Sequence, residues 1–556
     1  MKLLWFWKEV EGNKHPTSLL EWGLVLLSVL LLWLGWPAQG WPGLLFLAFT
    51  PLLALVEYIH AGGYRKPTRR LSLRLYVGLL LWNILCTGWV AYATVLGMVA
   101  MVLINSLLML LPWVLYSWMK KHNPRIALFT GLLAWLTLEY LHFHWEMAWP
   151  WLNLGFGFAN HPGWVQWYDY TGVLGGSLWI LVANAAFYYT FWRYGAILKG
   201  QVRWLSLIYT LLFVIGIPYG ISRIRAKRLE LTGTPTEVVL VQPNHDPYSN
   251  TLISHPEVLG SKQQLAQFLD LTESVITPNT QLVLWPEGTL PGFFWETDTT
   301  SRILQTVRQW RYDHHPKLHL LLGGTSGTRL PEGTPSRPYT NTRENGDRYE
   351  VHNSGLWFSP SESISYYHKS ILVPGVEVLP FARVLQPILG PLMEALGGTS
   401  GGYAPQADRT VFYLNDSLGI APSICYEALF GEHTAAHVKN GAQAVALITN
   451  DAWWDESAGY QQHMAYARLL AISLRKPVLR AANTGVSAFI MPDGTVHQAT
   501  GFYEEAAIRE MVEFNDRLTP YAKTGDSLGR IAYGLLIFLV GSAWVQRFIK
   551  RKKEQA

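Results

Sequence analysis

Cysteine and charge are what this chain has least of. Its 556 residues include two cysteines, and 15% of them are charged, where soluble domains typically run near ~25%. With 50% apolar residues, so little charge excludes disorder, a coiled coil and a collagen-like fibre. No internal repeat or low-complexity tract is visible. The N-terminal stretch is not expected to be a removable leader either. The first 17 residues carry Glu9 and Glu11 and offer no small-residue cleavage site, so the N-terminus reads as mature. The length points to two or more domains.

The scarcity of charge is local. Residues 1–222 hold 14 Lys and Arg against 7 Asp and Glu, which leaves 30 basic and 32 acidic residues for 223–556. The first part is membrane-like and the rest reads as soluble, so the net charge of +5 does not imply nucleic acid. A span needs about 20 mostly apolar residues. Eight segments qualify: 18–36, 41–59, two within 72–119 that part near Gly88–Thr94, 126–143, 174–195, 203–222 and 528–547. The expected organisation is a seven-span bundle over 1–222, an exported domain over 223–527, and an eighth span with a basic tail over 528–556.

Lys and Arg in the short loops set the orientation. With the N-terminus inside, the cytoplasmic loops hold Arg65, Lys66, Arg69 and Arg70, then Lys120, Lys121 and Arg125, then Arg193, Lys199 and Arg203. The tail adds Arg547, Lys550, Arg551, Lys552 and Lys553. The opposite loops, 37–40 and 92–95, and the long segment 144–173 hold neither Lys nor Arg. Both termini are therefore expected in the cytoplasm and 223–527 outside the membrane. The aromatic segment 144–173 reads equally as an interfacial belt or as the lining of a lipid entrance.

In the exported part, short β-rich runs such as 237–242 (EVVLVQ), 281–285 (QLVLW), 318–324, 363–367 and 443–449 recur between turn signals. Helical stretches at 260–275, 298–312, 428–440 and 460–475 fall among them. This pattern predicts an α/β sandwich with mixed sheets. Residues 379–396 (LPFARVLQPILGPLMEAL) are strongly apolar between Gly/Pro breaks. They read as a core helix or as an arm lying on a bilayer.

Cys86 sits inside a predicted span and reads as a small core hydrophobe. Cys425 is different. It lies in the exported domain without a partner to bridge, which makes it a candidate reactive thiol. Ser423-Ile424-Cys425-Tyr426-Glu427 ends an apolar strand and is expected to open a helix from Ala428 onward. A helix N-terminus would lower a thiol pKa and hold an oxyanion. Two further strand ends carry charge: Trp285-Pro286-Glu287-Gly288, and Tyr366-Tyr367-His368-Lys369-Ser370 before Leu372-Val373-Pro374. A strand-end charge alone is usually a solvated loop residue, but a carboxylate, an ammonium and a thiol at three strand ends of one α/β domain are far less expected by chance.

These motifs (WPEG, YYHKSILVPGVE and SICYE, with ITNDAWW further on) resemble the nitrilase superfamily. With eight spans around them, the chain resembles one branch, the apolipoprotein N-acyltransferases, over nearly its whole length. The resemblance implies a polytopic helical bundle joined to an αββα sandwich. It implies Glu287 as general base, Lys369 as oxyanion-stabilising lysine and Cys425 as nucleophile, with Glu377, Tyr426 and Glu427 in support. Asn450 and Trp453 are candidate substrate contacts, as are Trp145 and Tyr248. Asp451 and Arg480 through Gly485 match family segments. Where LVPFGE is common, this chain reads Leu372-Val373-Pro374-Gly375-Val376-Glu377; Trp454 and Asp455 stand where Phe-Gly is common.

The implied reaction moves an acyl chain from a phospholipid, through a thioester, to the N-terminal cysteine amine of a diacylated apolipoprotein. It needs no cofactor and no metal. The implied setting is the bacterial inner membrane, with the catalytic domain on the periplasmic side. A monomer is expected, since nothing suggests a coiled coil or an exposed pairing edge. Four other readings have sequence support. A membrane-anchored amidase would use the same triad with water as acceptor. Gly398-Thr399-Ser400-Gly401-Gly402 matches G-x-S-x-G but lacks the strand–turn–helix setting of a serine lipase. Glu432, His433 and His437 could be drawn as zinc ligands, but there is no HExxH and a surface helix face is expected. A transporter would bury charge in mid-span; Glu139 is the main candidate, and it sits near a span end.

Overall fold

Apolar helices build one part of the chain, and strands alternating with helices build the other. The computed structural model describes residues 18–62, 64–193, 201–230, 232–245, 261–290, 292–298, 300–361, 363–385 and 402–555. The chain divides into two units: Met1–Trp145, Trp149–Arg228 and Asp526–Ala556 in one, Glu146–Ala148 and Leu229–Gly525 in the other.

Among the described residues of the helical unit, six stretches are long and apolar enough to cross a membrane: Pro42–Ala61, Pro67–Tyr92, Val95–His122, Val173–Phe191, Trp204–Lys227 and Ser527–Lys553. Two of the eight expected segments form shorter helices, Ser18–Leu34 and Ala127–Leu141. Ser18–Leu34 stops at a Gly35–Pro37 turn, and Ala127–Leu141 stops where its own Glu139 turns to hold the following segment. Outward faces carry exposed Leu107, Leu111, Phe213 and Phe538, which suits hydrocarbon rather than water.

Glu139 lies near the end of its helix, Ala127–Leu141, as expected, but it is buried there, so an exposed interface position does not explain it. Its Oε1 accepts from Trp135 Nε1 at 2.7 Å and from the Leu154 amide at 2.9 Å. The side chain therefore anchors the turn Leu154–Phe158 of the aromatic segment. That segment is likewise neither a simple belt nor an open lining. Its short turns Pro150–Leu152 and Leu154–Phe158 are buried, with Trp151 against Trp89 at 4.8 Å and Phe158 stacked on Trp179 at 5.1 Å.

The second unit is a four-layer sandwich. The first sheet contains β1 (Thr234–Gln242), β2 (Thr280–Leu284), β3 (Phe293–Trp295), β4 (His319–Arg329), β5 (Asn341–Thr342), β6 (Arg348–Phe358), β7 (Ile364–His368) and β14 (Ala506–Phe514). Its order is β14-β1-β2-β4-β6-β5, with β3 on β4 and β7 on β6. The second sheet contains β8 (Phe412–Tyr413), β9 (Gly419–Ile424), β10 (Ala442–Thr449), β11 (Val478–Ala482), β12 (Ala488–Ile490) and β13 (Val496–His497), in the order β13-β12-β11-β10-β9-β8.

Period-two alternation explains the layers. Val238 and Leu240 of β1 face inward with Leu282, Leu284, Ile420, Ile424, Ala446 and Ile448, which makes the core between the sheets. Val239 and Val241 face the other way, onto Phe268 and Val307 of helices Ser261–Glu273 and Arg302–His314. Val445 and Leu447 of β10 similarly meet Val438, Leu470 and Leu474 of helices Gly431–Lys439 and Ala458–Leu474. Strands covered on both faces must be apolar throughout, so β1 and β10 read as unbroken runs.

Candidate active site

Glu287 lies just past β2, Lys369 directly follows β7, and Cys425 directly follows β9. The turn carrying Glu287 is pressed onto β4. A Cβ on Gly323 would stand 2.6 Å from Glu287 Cα and 2.6 Å from the Pro286 carbonyl, so only glycine fits. The Gly323 amide donates to Pro286 O at 3.1 Å, and the Leu290 amide donates to Gly323 O. Glu287 is thus held by backbone on both sides.

Around it the first sheet builds a compact ion cluster. Lys369 Nζ sits 2.9 Å from Glu377 Oε1 and 3.6 Å from Glu287 Oε1. Asn353, in the middle of β6, donates through Nδ2 to Glu287 Oε1 at 2.7 Å and to Glu377 Oε1 at 3.1 Å. Glu377 Oε2 accepts from the Val373 amide at 2.8 Å, which closes the turn after the lysine. Glu287 Oε2 is buried and carries no hydrogen bond among the described residues. Burial depresses the Lys369 ammonium, but Glu377, Glu287 and Cys425 outweigh it and leave its pKa above the ordinary value. The lysine stays a fixed cation.

The nucleophile turn belongs to the second sheet. Cys425 has φ +50°, a left-handed backbone that costs a non-glycine residue energy and clusters at functional sites. It opens the 3₁₀ turn Cys425–Leu429, and the α-helix proper begins only at Gly431. The helix expected from Ala428 thus starts three residues later, at Gly431, and the nucleophile itself opens a single 3₁₀ turn, too short for a developed macrodipole. The expected drop in thiol pKa is also reversed. Burial pushes the Cys425 thiol up, Glu287 adds to that, and Lys369 and Thr449 only partly oppose it.

Glu427 ties the two sheets at the site. It is fully buried. Its Oε2 accepts from the Ile424 amide at 2.7 Å. Its Oε1 accepts from the Tyr367 hydroxyl at 2.7 Å and the Ser370 amide at 2.6 Å. One carboxylate thus holds the residue before the nucleophile and the residue after the lysine. Tyr426 donates from its hydroxyl to the Ala148 carbonyl at 2.8 Å.

Asn450 is buried, and its side chain accepts from the Ala452 amide at 3.1 Å, capping the turn Asp451–Trp454. Trp453 is exposed on that turn. Trp145, in the helical unit, stands edge-on to His142 at 5.6 Å. Tyr248 lies outside the described residues, as do Ser400 and all of the arm beyond Leu385. The arm's described start exposes Phe381 and Val384, and the Phe381 amide donates to Glu146 Oε2 at 2.5 Å.

His433 and His437 do not lie on a surface face. Both are buried, His437 Nδ1 against the Thr410 carbonyl at 2.7 Å and His433 Nε2 at 3.3 Å from Tyr367 Oη. Asn353 and His463 escaped the sequence reading. Neither gave a local signal: Asn353 stands among the polar residues of the first half of β6 (RYEVHNS), and His463 on a buried helix.

Residues 241–513 match the family described as carbon-nitrogen hydrolase. Residues 28–186 match the apolipoprotein N-acyltransferase N-terminal domain. The chain is 29% identical over 528 residues to an apolipoprotein N-acyltransferase of Chlorobaculum tepidum, covering 92% of this chain and 94% of that one. It is 27% identical over 515 residues to one of Geobacter metallireducens, covering 90% and 91%. A crystal structure of an amidase from Nesterenkonia sp. overlaps 54% of this chain and 98% of its own, at 16% identity and a TM-score of 0.34.

Proposed function

This chain belongs to the apolipoprotein N-acyltransferase family, a membrane branch of the carbon-nitrogen hydrolases, and on that premise we propose its reaction and the residues that perform it. It moves a fatty acyl chain from a membrane phospholipid, through a thioester on Cys425, to the N-terminal cysteine amine of a diacylated apolipoprotein. The observation that carries the assignment of residues is the buried Oε2 of Glu287, without a partner among the described residues, beside a fixed Lys369 cation, both charges bearing on the Cys425 thiol.

A thiol with a raised pKa is not a thiolate in the resting enzyme, so it needs a base at the moment of attack. Glu287 Oε2 takes the proton. The sulfur attacks the ester carbonyl of the phospholipid. Lys369 and the Tyr426 amide stabilise the tetrahedral oxyanion, each worth roughly 10²–10³ in rate. Protonated Glu287 then gives its proton to the leaving lysophospholipid alkoxide, and a thioester remains. The acceptor amine attacks that thioester, Glu287 accepts the amine proton, an amide forms, and the departing thiolate recovers the proton.

Glu377 and Asn353 hold the lysine and the base in register. Glu427 holds the lysine turn to the nucleophile turn. Asn450, Trp453 and Trp145 are proposed to contact substrate. The Lys and Arg distribution supports an inner-membrane protein with both termini in the cytoplasm and the catalytic unit on the periplasmic side. Every residue of this mechanism comes from one chain, so a monomer suffices.

The test is intact-mass analysis of the purified protein after incubation with phospholipid alone. The expected result is a fatty-acyl adduct that neutral hydroxylamine releases and that Cys425→Ala lacks. Adding a diacylated lipopeptide should discharge it to an amide. A folded wild type that stays unmodified across several phospholipids, yet hydrolyses small amides, would replace this reading with the anchored amidase.

A further inference from the structure

The carbonyl of Cys425 is held by a closed chain of buried side chains that the mechanism above leaves unused. His463, on helix Ala458–Leu474, approaches Cys425 O with Nε2 at 3.1 Å. A carbonyl only accepts, so Nε2 carries the hydrogen and donates. On the other edge of the ring, His463 Nδ1 is 3.0 Å from Asp451 Oδ1 and 3.0 Å from the Arg480 guanidinium. Arg480 donates to Asp451 Oδ2 at 2.7 Å and to the Val486 carbonyl at 2.8 Å. The side chains of His463, Asp451 and Arg480 are all fully buried. Burial alone would raise the Asp451 carboxyl, but Arg480 and His463 outweigh it and keep it below its ordinary value. Even the backbone makes room: Gly485, at φ +135°, passes so close to Asp451 that a Cβ there would strike the carboxylate.

The target of this chain is one peptide unit. The Cys425 carbonyl and the Tyr426 amide share a plane and point in opposite directions. Fixing the oxygen fixes the direction of the N–H. A hydrogen bond to the oxygen also polarises the unit and makes its N–H a better donor. That amide sits in the first positions of a 3₁₀ turn, where the turn itself supplies no acceptor. Cys425 needs such a hold because its own φ of +50° is not one its side chain favours.

We infer that His463, seated by Asp451 and Arg480, is a positioning residue for the oxyanion site, aiming and polarising the Tyr426 amide through the Cys425 carbonyl. The inference rests on the catalytic reading above. It separates two jobs of one turn: His463 serves the oxyanion, and Glu287 serves the sulfur.

Two reagents tell these jobs apart on the full-length enzyme. A p-nitrophenyl ester acylates Cys425 through a tetrahedral oxyanion, whatever the physiological donor is. Iodoacetamide alkylates the same sulfur by displacement and needs no oxyanion site. In His463→Leu, acylation by the ester should fall roughly 10²-fold, the size of one lost oxyanion donor. Its KM and its alkylation rate should each stay within about threefold, because the contact that is weakened, from the Tyr426 amide to the oxyanion, is made only in the transition state of acylation. His463→Gln, whose amide reaches the Nε2 position, should recover at least about tenfold of the loss, and no such rescue would follow from restored packing alone.

Unchanged acylation in His463→Leu overturns the inference. So does alkylation that falls in parallel with acylation, because His463 would then be holding the thiol rather than the oxyanion site. A wild type that reacts with the ester but not with phospholipid defeats the proposed donor and leaves this comparison intact. A wild type inert to both overturns both readings.

Discussion

The two halves of the candidate site handle buried charge in opposite ways. On the first sheet, the cluster of Glu287, Asn353, Lys369 and Glu377 is left open: of its four carboxylate oxygens, only Glu287 Oε2 has no partner among the described residues. On the second sheet, Arg480, Asp451, His463 and the Cys425 carbonyl form a chain in which both Asp451 oxygens and both ring nitrogens are engaged. The open cluster leaves an acceptor for a proton. The closed chain leaves no acceptor open, and its members can only orient. Within this site, the vacant buried acceptor is the one beside the lysine cation, and the filled chain is the one that fixes the nucleophile turn.

The sharpest way to break that comparison is at the open oxygen. Glu287→Gln keeps the shape and the Asn353 contact but removes the proton acceptor. Acyl-enzyme formation should fall by roughly 10⁴-fold, approaching Cys425→Ala, where no adduct can form. Single-turnover mass spectrometry of phospholipid-treated protein checks both. Residual acylation within tenfold of wild type in Glu287→Gln would assign the base elsewhere.

The closed chain should answer with stability. Arg480→Leu strands the Asp451 carboxylate in a dry interior, and breaking a buried pair on one side typically costs about 3–5 kcal/mol. The expected readout is a clear drop in the thermal midpoint of the catalytic unit, followed in detergent by a tryptophan signal. Replacing Asp451 as well, as Arg480→Leu with Asp451→Leu, should return part of the loss. A double variant no more stable than the single would show that the charge is not what is stranded.

Asn353 tests the boundary between the two behaviours. It bridges two carboxylates that would otherwise repel. Asn353→Ala should slow acyl transfer by roughly 10–10² through misplacement of Glu287 and Lys369, with folding kept. Asn353→Asp places a third carboxylate in the cluster and should cost more. Equal rates for the two variants would reduce Asn353 to packing.

How much of this could be read from the chain follows the same division. Glu287, Lys369 and Cys425 each stand at the end of an apolar run, where the pattern breaks and a charge or thiol catches the eye. Asn353 sits within a strand and His463 on the buried face of a helix, so local patterning hides both; only pairing in space gives them a role. β14 (Ala506–Phe514) also went unread, because its polar alternation belongs to a strand paired on β1 with one open face. The burial of Glu139 is hidden for a related reason: position along a helix says nothing about which face is buried. The 3₁₀ turn that separates Cys425 from the helix at Gly431 is not legible, because hydrogen-bond span is not visible in residue type.

The smallest effect separates burial from charge at the sulfur. Burial is the main cause that holds the Cys425 thiol above its ordinary value, and the Glu287 charge adds to it. Thiolate is therefore scarce at neutral pH, and alkylation of wild type by iodoacetamide should climb with pH without a plateau below the ordinary thiol value of 9.0. Taking the Glu287 charge away lowers the thiol pKa, since one source of repulsion is gone while burial remains. Glu287→Gln should then alkylate roughly two- to fivefold faster than wild type at pH 7, even as acyl transfer collapses. The opposite signs are the point. A variant slowed in both reactions would mean that Glu287 also draws the proton during displacement, and that the open oxygen governs every reaction of this sulfur rather than acyl transfer alone.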